Sequence, residues 1–579
     1  MTSASMEMSA GAKSAASTAT GKLDELLGQL KDKARPFARL SAAERAALVE
    51  ACIPRLMACA DAWVDAACRA KGLRRDHPEA SEEVFGGPMT TVRNLRWLAW
   101  SLREIAKSGK PTLGDKRFGS MRDGVTTVEV FPGDGLDGAL FAGFSARVRM
   151  AKGMDRAAVI EKQASFYGKK EPEGGVSLVL GAGNVASIPP MDALYKMFVD
   201  GNVCIVKLNP VNEYLGPFYE QALAPLVEAG YLAFVKGGGD VGAYLVNHAL
   251  VDDVHITGSD RTHDLIVWGP PGAERDKRIA DKSPLLKKSI TSELGCVTPV
   301  VIAPATFSEK ELDFLSQNVA TMMINNASCN CNAGKMLVTS KGWAQREAFL
   351  SKLRAVLKEV PSRKAYYPGA FDRYEHLVGG RSGVESFGEK TSEKLPWTVI
   401  TGLDGKSDDK LFVTEPFCPI LSEAVLDESD PVKFIEAATS FCNDKLWGTL
   451  SGIMVIHPSI EKDAAGSAAV DKAIAELRYG AVGVNCWTGV VYGMVTPPWG
   501  AHPSSTLENI QGGLGWVHNT FMLEGIEKVV VRAPVTVNPK PPFFATHKNA
   551  HVVAPKVLAL EANPSWFKVP SIALSALFG

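Results

Sequence analysis

The sequence predicts an α/β protein with parallel sheets covered on both faces by helices. From Val176 to Val482, short apolar runs alternate with stretches of helical period; parallel strands require crossovers of this kind. The first run, Val176-Ser177-Leu178-Val179-Leu180, ends in Gly181-Ala182-Gly183, a tight turn leading into a helix. The composition fits a large core: 579 residues, 46% hydrophobic and 22% charged. At about 150 residues per domain, that length allows two to four domains.

In chain order, residues 1–22 are rich in Ser, Ala, Thr and Gly and lack the apolar stretch of a secretion signal, so a disordered tail is expected there. Residues 23–108 read as helical; in Ala42 to Cys52 apolar side chains recur at three- and four-residue steps, with Ser41 placed to cap the start. Thr126 to Phe131 reads as a strand. After Val176–Leu180, Pro189-Pro190 opens a helix with Met191, Leu194, Met197 and Phe198 on one face, stopped at Gly201. Val203 to Val206 is the next strand, and Tyr219, Ala222, Leu223, Leu226 and Val227 mark a further helix with Pro225 inside it. Leu232–Val235, Val241–Leu250 and Val254–Ile256 continue the alternation, which resumes at Pro299–Ile302. The segment Pro539 to Gly579 is dotted with proline and ends in apolar Leu574 to Phe578; it is expected to pack on its own fold or on a partner subunit.

Several function classes are excluded by charge and pattern. Lys+Arg (63) nearly cancel Asp+Glu (64), which leaves no basic face for nucleic acid. The weakly charged stretch Tyr479 to Ile510 is broken by Pro497-Pro498 and many glycines, so no membrane span is expected. Ten cysteines without paired spacing fit neither a disulfide scaffold nor a metal finger; a reducing, cytoplasmic setting is expected. A G-x-S-x-G elbow is absent from the sequence.

Three segments carry chemistry. Gly181-Ala182-Gly183-Asn184-Val185-Ala186 matches G-x-G-x-x-A between a strand and a helix, the pattern that brings a dinucleotide pyrophosphate to a helix N-terminus. The ribose-binding acid expected about 20 residues on is missing, since the next strand ends in Lys207. Ser292-Glu293-Leu294-Gly295-Cys296 offers a carboxylate on a turn before a buried strand, and Asn326-Ala327-Ser328-Cys329-Asn330-Cys331 follows a helix faced by Leu312, Leu315, Val319, Met322 and Met323. A cysteine there is placed to act as nucleophile, and the carboxylate to activate water. As metal ligands, Cys329 and Cys331 lack a partner pair at nearby spacing.

Together with Gly201-Asn202-Val203-Cys204-Ile205-Val206-Lys207, Asp253-Val254-His255-Ile256-Thr257-Gly258-Ser259, Glu415-Pro416-Phe417-Cys418-Pro419 and Pro498-Trp499-Gly500, these segments resemble the aldehyde dehydrogenase superfamily, in the family's order, from about Ser177 to Val535. The resemblance implies a Rossmann-like cofactor domain plus an α/β catalytic domain, with a helical N-terminal segment and a C-terminal arm. The expected divisions are 23–295 for helices and cofactor domain, 296–510 for the catalytic domain, and 511–579 for a returning oligomerisation strand and the arm. It implies Cys331 as nucleophile, Glu293 as general base and Asn184 as oxyanion donor. Lys207, Gly239, Gly258, Ser259, Leu294, Glu415 and Phe417 would line the site of NAD or NADP. The substrate would be an aldehyde, and Phe521 to Val535 resembles the strand that pairs subunits into a homodimer or homotetramer.

The departures are specific. Asn184 follows Gly183 instead of a Pro-aromatic pair, Pro210 stands where an acid usually holds the NAD ribose, and His263 replaces a glycine. Gly269 to Lys287 looks like an insertion before Glu293, and the arginine that usually follows the nucleophile is missing, with Lys335 and Met336 in that region. The choice between NAD and NADP is thereby open. Gly183-Asn184-Val185 and Val206-Lys207-Leu208 are also similar to acyl-CoA reductases related to the bacterial-luminescence fatty acid reductase, which use the same cysteine thioester. A non-catalytic binding subunit is the third reading; retention of Cys331, Glu293 and Asn184 together argues against it.

Overall fold

A computed structural model describes residues 17–579. The tail expected over 1–22 falls largely outside the described residues; within them it is shorter, because a helix already begins at Thr20. Helices Thr20–Ala38, Ala42–Lys71 and Thr90–Ser108 form the N-terminal layer. Ser41 caps the second through a reciprocal capping box with Glu44, and Gly72, at φ 67°, ends it. This layer shares one core with the first sheet: the Trp63 ring stands edge-on to Tyr219 at 5.1 Å, and Arg45 donates to the carbonyls of Phe37 and Met197.

The first sheet has six strands, in the order Gly513–Leu514, Ser289–Glu293, Asp253–Thr257, Val176–Leu180, Val203–Lys207, Leu232–Val235. All neighbours are parallel except the Gly513–Leu514 pair. Val176–Leu180 has its successor on one side and Asp253–Thr257 on the other, so the strand order reverses there. A crevice outside the carboxyl ends at such a reversal is where α/β sheets bind ligands. The helix expected over Tyr219–Val227 is two: Gly216–Ala222 and Ala224–Glu228. Pro225 has no N–H to give a continuing helix, and here it sits in the first turn of a new one.

The second sheet has eleven strands. Its middle runs Ala481–Val484, Ser451–Val455, Pro299–Ile302, Met336–Ser340 and Ile420–Leu426, all parallel. The returning strand, Ile526–Arg532, joins this sheet. It pairs parallel with Ala481–Val484 and antiparallel with Ser145–Met150 of the same chain. Both its edges are filled by strands of this chain. Residues beyond 510 therefore contribute strands to both sheets.

The end of the chain packs on its own fold. Helix Ala550–Ala562 lies against the N-terminal layer, where Glu561 receives Arg93 at 2.6 Å and Arg96 at 2.7 Å. Arg93 also pairs with Asp137 at 2.8 Å, all three of these groups being buried. The last helix, Val569–Ala576, leaves Phe567 and Phe578 exposed beside it. Among the described residues, no helix is long and apolar enough to cross a membrane.

Candidate active site

The loop after Val176–Leu180 is shaped by its glycines, though not as an open phosphate cradle. A Cβ on Gly181 would stand 3.0 Å from Pro189, and one on Gly183 2.8 Å from the side chains of Asn209 and Val211. The G-x-G spacing thus serves close chain packing, and delivers Asn184 to the carboxyl end of the sheet. Asn184 is buried, its amide Nδ2 donating to the Cys329 carbonyl at 2.9 Å.

From the other sheet comes the nucleophile loop. Helix Glu309–Ile324 ends at Asn325, and Asn326, Ala327 and Ser328 follow with φ of 54°, 53° and 64°. Three successive non-glycine residues in the left-handed region cost roughly 1–2 kcal/mol each, so surrounding bonds must hold them. The Glu82 carboxylate accepts the Asn326 backbone N–H at 2.8 Å, and the Asn326 amide donates to the carbonyls of Asn184 (2.9 Å) and Cys329 (3.1 Å).

The turn presents Cys331, half-buried, with its Sγ donating to Glu293 Oε1 at 3.3 Å. Glu293 is the last residue of its strand rather than part of a turn, in register opposite Thr257. The expected insertion before it forms the exposed helix Ala273–Ala280 and leaves that register intact. Burial and the charge of Asp192 push the Glu293 carboxyl up to about 7. Burial, with Glu293 beside it, pushes the Cys331 thiol well above its ordinary range. The thiol is therefore protonated at rest, and the base able to relieve it is in contact. Cys329 is buried and turned away, toward the carbonyls of Ala327 and Phe417, and burial pushes it up to about 12.

A cavity of about 830 Å³ opens from Cys331, with Asn184, Gly258, Ser259, Glu293, Leu294, Glu415 and Phe417 in its walls. Lys207 and Gly239 lie beyond these walls, at the carboxyl ends of the two next strands: Lys207 ends its strand, and Gly239 begins helix Gly239–Asn247. The Gly258 N–H is committed to the Glu293 carbonyl at 3.1 Å, and Ser259 caps helix Asp260–Trp268 by accepting from Thr262.

Two residues shape the cavity that sequence pattern did not single out as site residues. Arg373 donates to the carbonyls of Pro416 (3.0 Å) and Phe417 (3.1 Å), clamping Phe417 at φ 44°. Lys335, fully buried, donates to the carbonyls of Asn330 and Cys296 and is ion-paired with Glu415, whose carboxylate packs where a Cβ on Gly295 would be. Its place, with Met336, in the region where an arginine was expected was the one signal in the sequence; Arg373 gave none, because it acts through backbone carbonyls.

Residues 139–518 match the model of the aldehyde dehydrogenase family. The chain belongs to that family. As an aldehyde dehydrogenase it is an oxidoreductase of the aldehyde group working with NAD or NADP. Similar solved structures include an NAD-dependent aldehyde dehydrogenase from Sinorhizobium meliloti, at 16% identity over 90% of each chain and a TM-score of 0.57. Lactaldehyde dehydrogenase from Escherichia coli is similar at 15% identity, over 90% of this chain and 94% of that one, with a TM-score of 0.57. Glyceraldehyde-3-phosphate dehydrogenase GapN from Methanocaldococcus jannaschii DSM 2661, complexed with NADP, shares 13% identity over 91% of this chain and 100% of its own, with a TM-score of 0.58. At these identities the likeness is one of fold.

Proposed function

We propose that this aldehyde dehydrogenase oxidises its aldehyde to the carboxylic acid, with Cys331 as nucleophile and Glu293 as base. The hydrogen bond between them, at the inner end of a cavity the size of a ligand site, carries the reading. The thiol proton passes to Glu293 as Sγ bonds to the carbonyl carbon. The oxyanion is held by the Asn184 amide and the Cys331 N–H, each donor worth on the order of 3 kcal/mol in comparable sites. NAD or NADP, when bound, supplies the acceptor for the hydride that leaves this carbon. Gly258 and Ser259 would meet its pyrophosphate, Leu294, Glu415 and Phe417 would line its nicotinamide end, and Lys207 and Gly239 its adenosine end. These residues fit, because five of the seven wall the cavity that reaches Cys331. Glu293, having released the first proton, takes a second from water; the C–S bond breaks, and acid and thiol are regenerated.

The same thioester serves acyl-CoA reductases, where CoA thiolate makes or breaks it. The Glu293 contact favours hydrolysis, since a thiolate needs no base. Rapid-mixing of Glu293→Gln with an aldehyde panel and both cofactors tests this. We expect a slowed burst of about one reduced cofactor per site and then a stall, whereas Cys331→Ser loses at least about a thousandfold in turnover and Cys329→Ser does not. Steady turnover in Glu293→Gln, or wild-type release that requires CoA, overturns the hydrolytic reading.

A further inference from the structure

We infer that Lys71, the last residue of the second N-terminal helix, is a positioning residue that locks the oxyanion asparagine and the nucleophile loop into one unit. The inference rests on the roles proposed for Asn184 and Cys331. Lys71 is buried, and its Nζ has three partners: Glu83 Oε1 at 2.7 Å, the Asn184 carbonyl at 3.1 Å and Asn326 Oδ1 at 2.9 Å. An ammonium carries three hydrogens and no acceptor, so every donor is spent. One goes to each sheet's contribution to the site, and the third goes to the carboxylate that balances the charge.

This arrangement decides which way the Asn326 amide faces. Its Oδ1 receives Lys71 and, at 2.8 Å, the Tyr366 hydroxyl; its Nδ2 is thereby turned to the carbonyls of Asn184 and Cys329. The Asn184 carbonyl receives the same two donors, with Tyr366 at 3.1 Å. The side chain of Asn184 also donates to the Cys329 carbonyl, two residues before the nucleophile. Lys71 and Tyr366 thus stand behind both halves of the site, and the left-handed turn at Asn326–Ser328 is braced from the N-terminal layer. Glu82, beside Glu83, completes the brace: it accepts the Asn326 N–H and is held by both Nη atoms of Arg363 at 3.1 Å.

The test reads Cys331 directly, since removing Lys71 alone would strand the buried Glu83 carboxylate. In the full-length double variant Lys71→Met with Glu83→Gln, iodoacetamide alkylation of Cys331, followed by peptide mass spectrometry, is expected to slow about tenfold at pH 7. Its pH profile should lose the limb set by Glu293, while NAD binding stays within about threefold. Tyr366→Phe removes one oxygen and leaves no buried charge; it should slow the same reaction about threefold. Native alkylation rates and pH profiles in both variants overturn the positioning role and leave the proposed function standing. Aldehyde turnover surviving in Cys331→Ser overturns the function instead.

Discussion

At the scale of single residues, the site is a pair of groups shifted toward each other's needs. Glu293 at about 7 is a carboxylate poised to exchange protons near neutrality, and Cys331 is a thiol that will not ionise unaided. The base must be deprotonated to act, so kcat/KM should rise with pH through about 7 and level off above it. A pH–rate profile checks this; in Glu293→Gln the limb should vanish from whatever activity remains. The residues proposed for chemistry were singled out in the sequence because each sits in a short motif at fixed spacing. Lys71 was not, as it reaches Asn326 from 255 residues away and bonds to atoms that every asparagine and every backbone possess. The glycines of the first turn were legible as a turn yet misleading as a phosphate site, since only packing shows what their missing Cβ atoms face.

At the scale of elements, periodicity located four of the six strands of the first sheet, because parallel strands buried on both faces leave uninterrupted apolar runs. The polar Ser289–Glu293 read as a turn, and Gly513–Leu514 is too short to leave a pattern. Sheet order did not follow, since neighbours are chosen by packing and not by sequence proximity; the return of residues 526–532 between two strands of the same chain is the clearest instance. The carboxyl ends of neighbouring strands also bring Lys207 together with Asp240 and Glu213. Burial lowers the Lys207 ammonium, and the two acids counter that. With two carboxylates acting on one lysine, a 2′-phosphate would meet repulsion if the adenosine ribose binds at Lys207 as proposed. NAD should therefore bind about tenfold or more tightly than NADP, near 1.4 kcal/mol. Titration calorimetry checks it, and Glu213→Gln with Asp240→Asn should narrow the gap.

At the scale of the whole molecule, the two sheets and the N-terminal layer depend on one another. The layer braces the nucleophile loop through Lys71 and Glu82, and it receives the last long helix through Arg93 and Arg96. Breaking a buried charge pair by removing one partner costs about 3–5 kcal/mol. Glu561→Gln should accordingly destabilise the protein by about that amount in denaturant unfolding, without moving the affinity for NAD. A change below about 1 kcal/mol would mean that Asp137 and the Met494 carbonyl satisfy Arg93 without Glu561.

Arg93 and Glu561 are separated by 468 positions along the chain. A ribosome delivers the first long before the second. Until Met494 and Glu561 are made, a guanidinium destined for the interior has only Asp137 to meet it, so the N-terminal layer waits, partly unsatisfied, for a helix still being made. Closure of the molecule is thus tied to synthesis of the helix that carries Glu561. A chain cut short before Glu561 should be recognisable to the cell's proteases as unfinished, even with every residue proposed here for chemistry already in place.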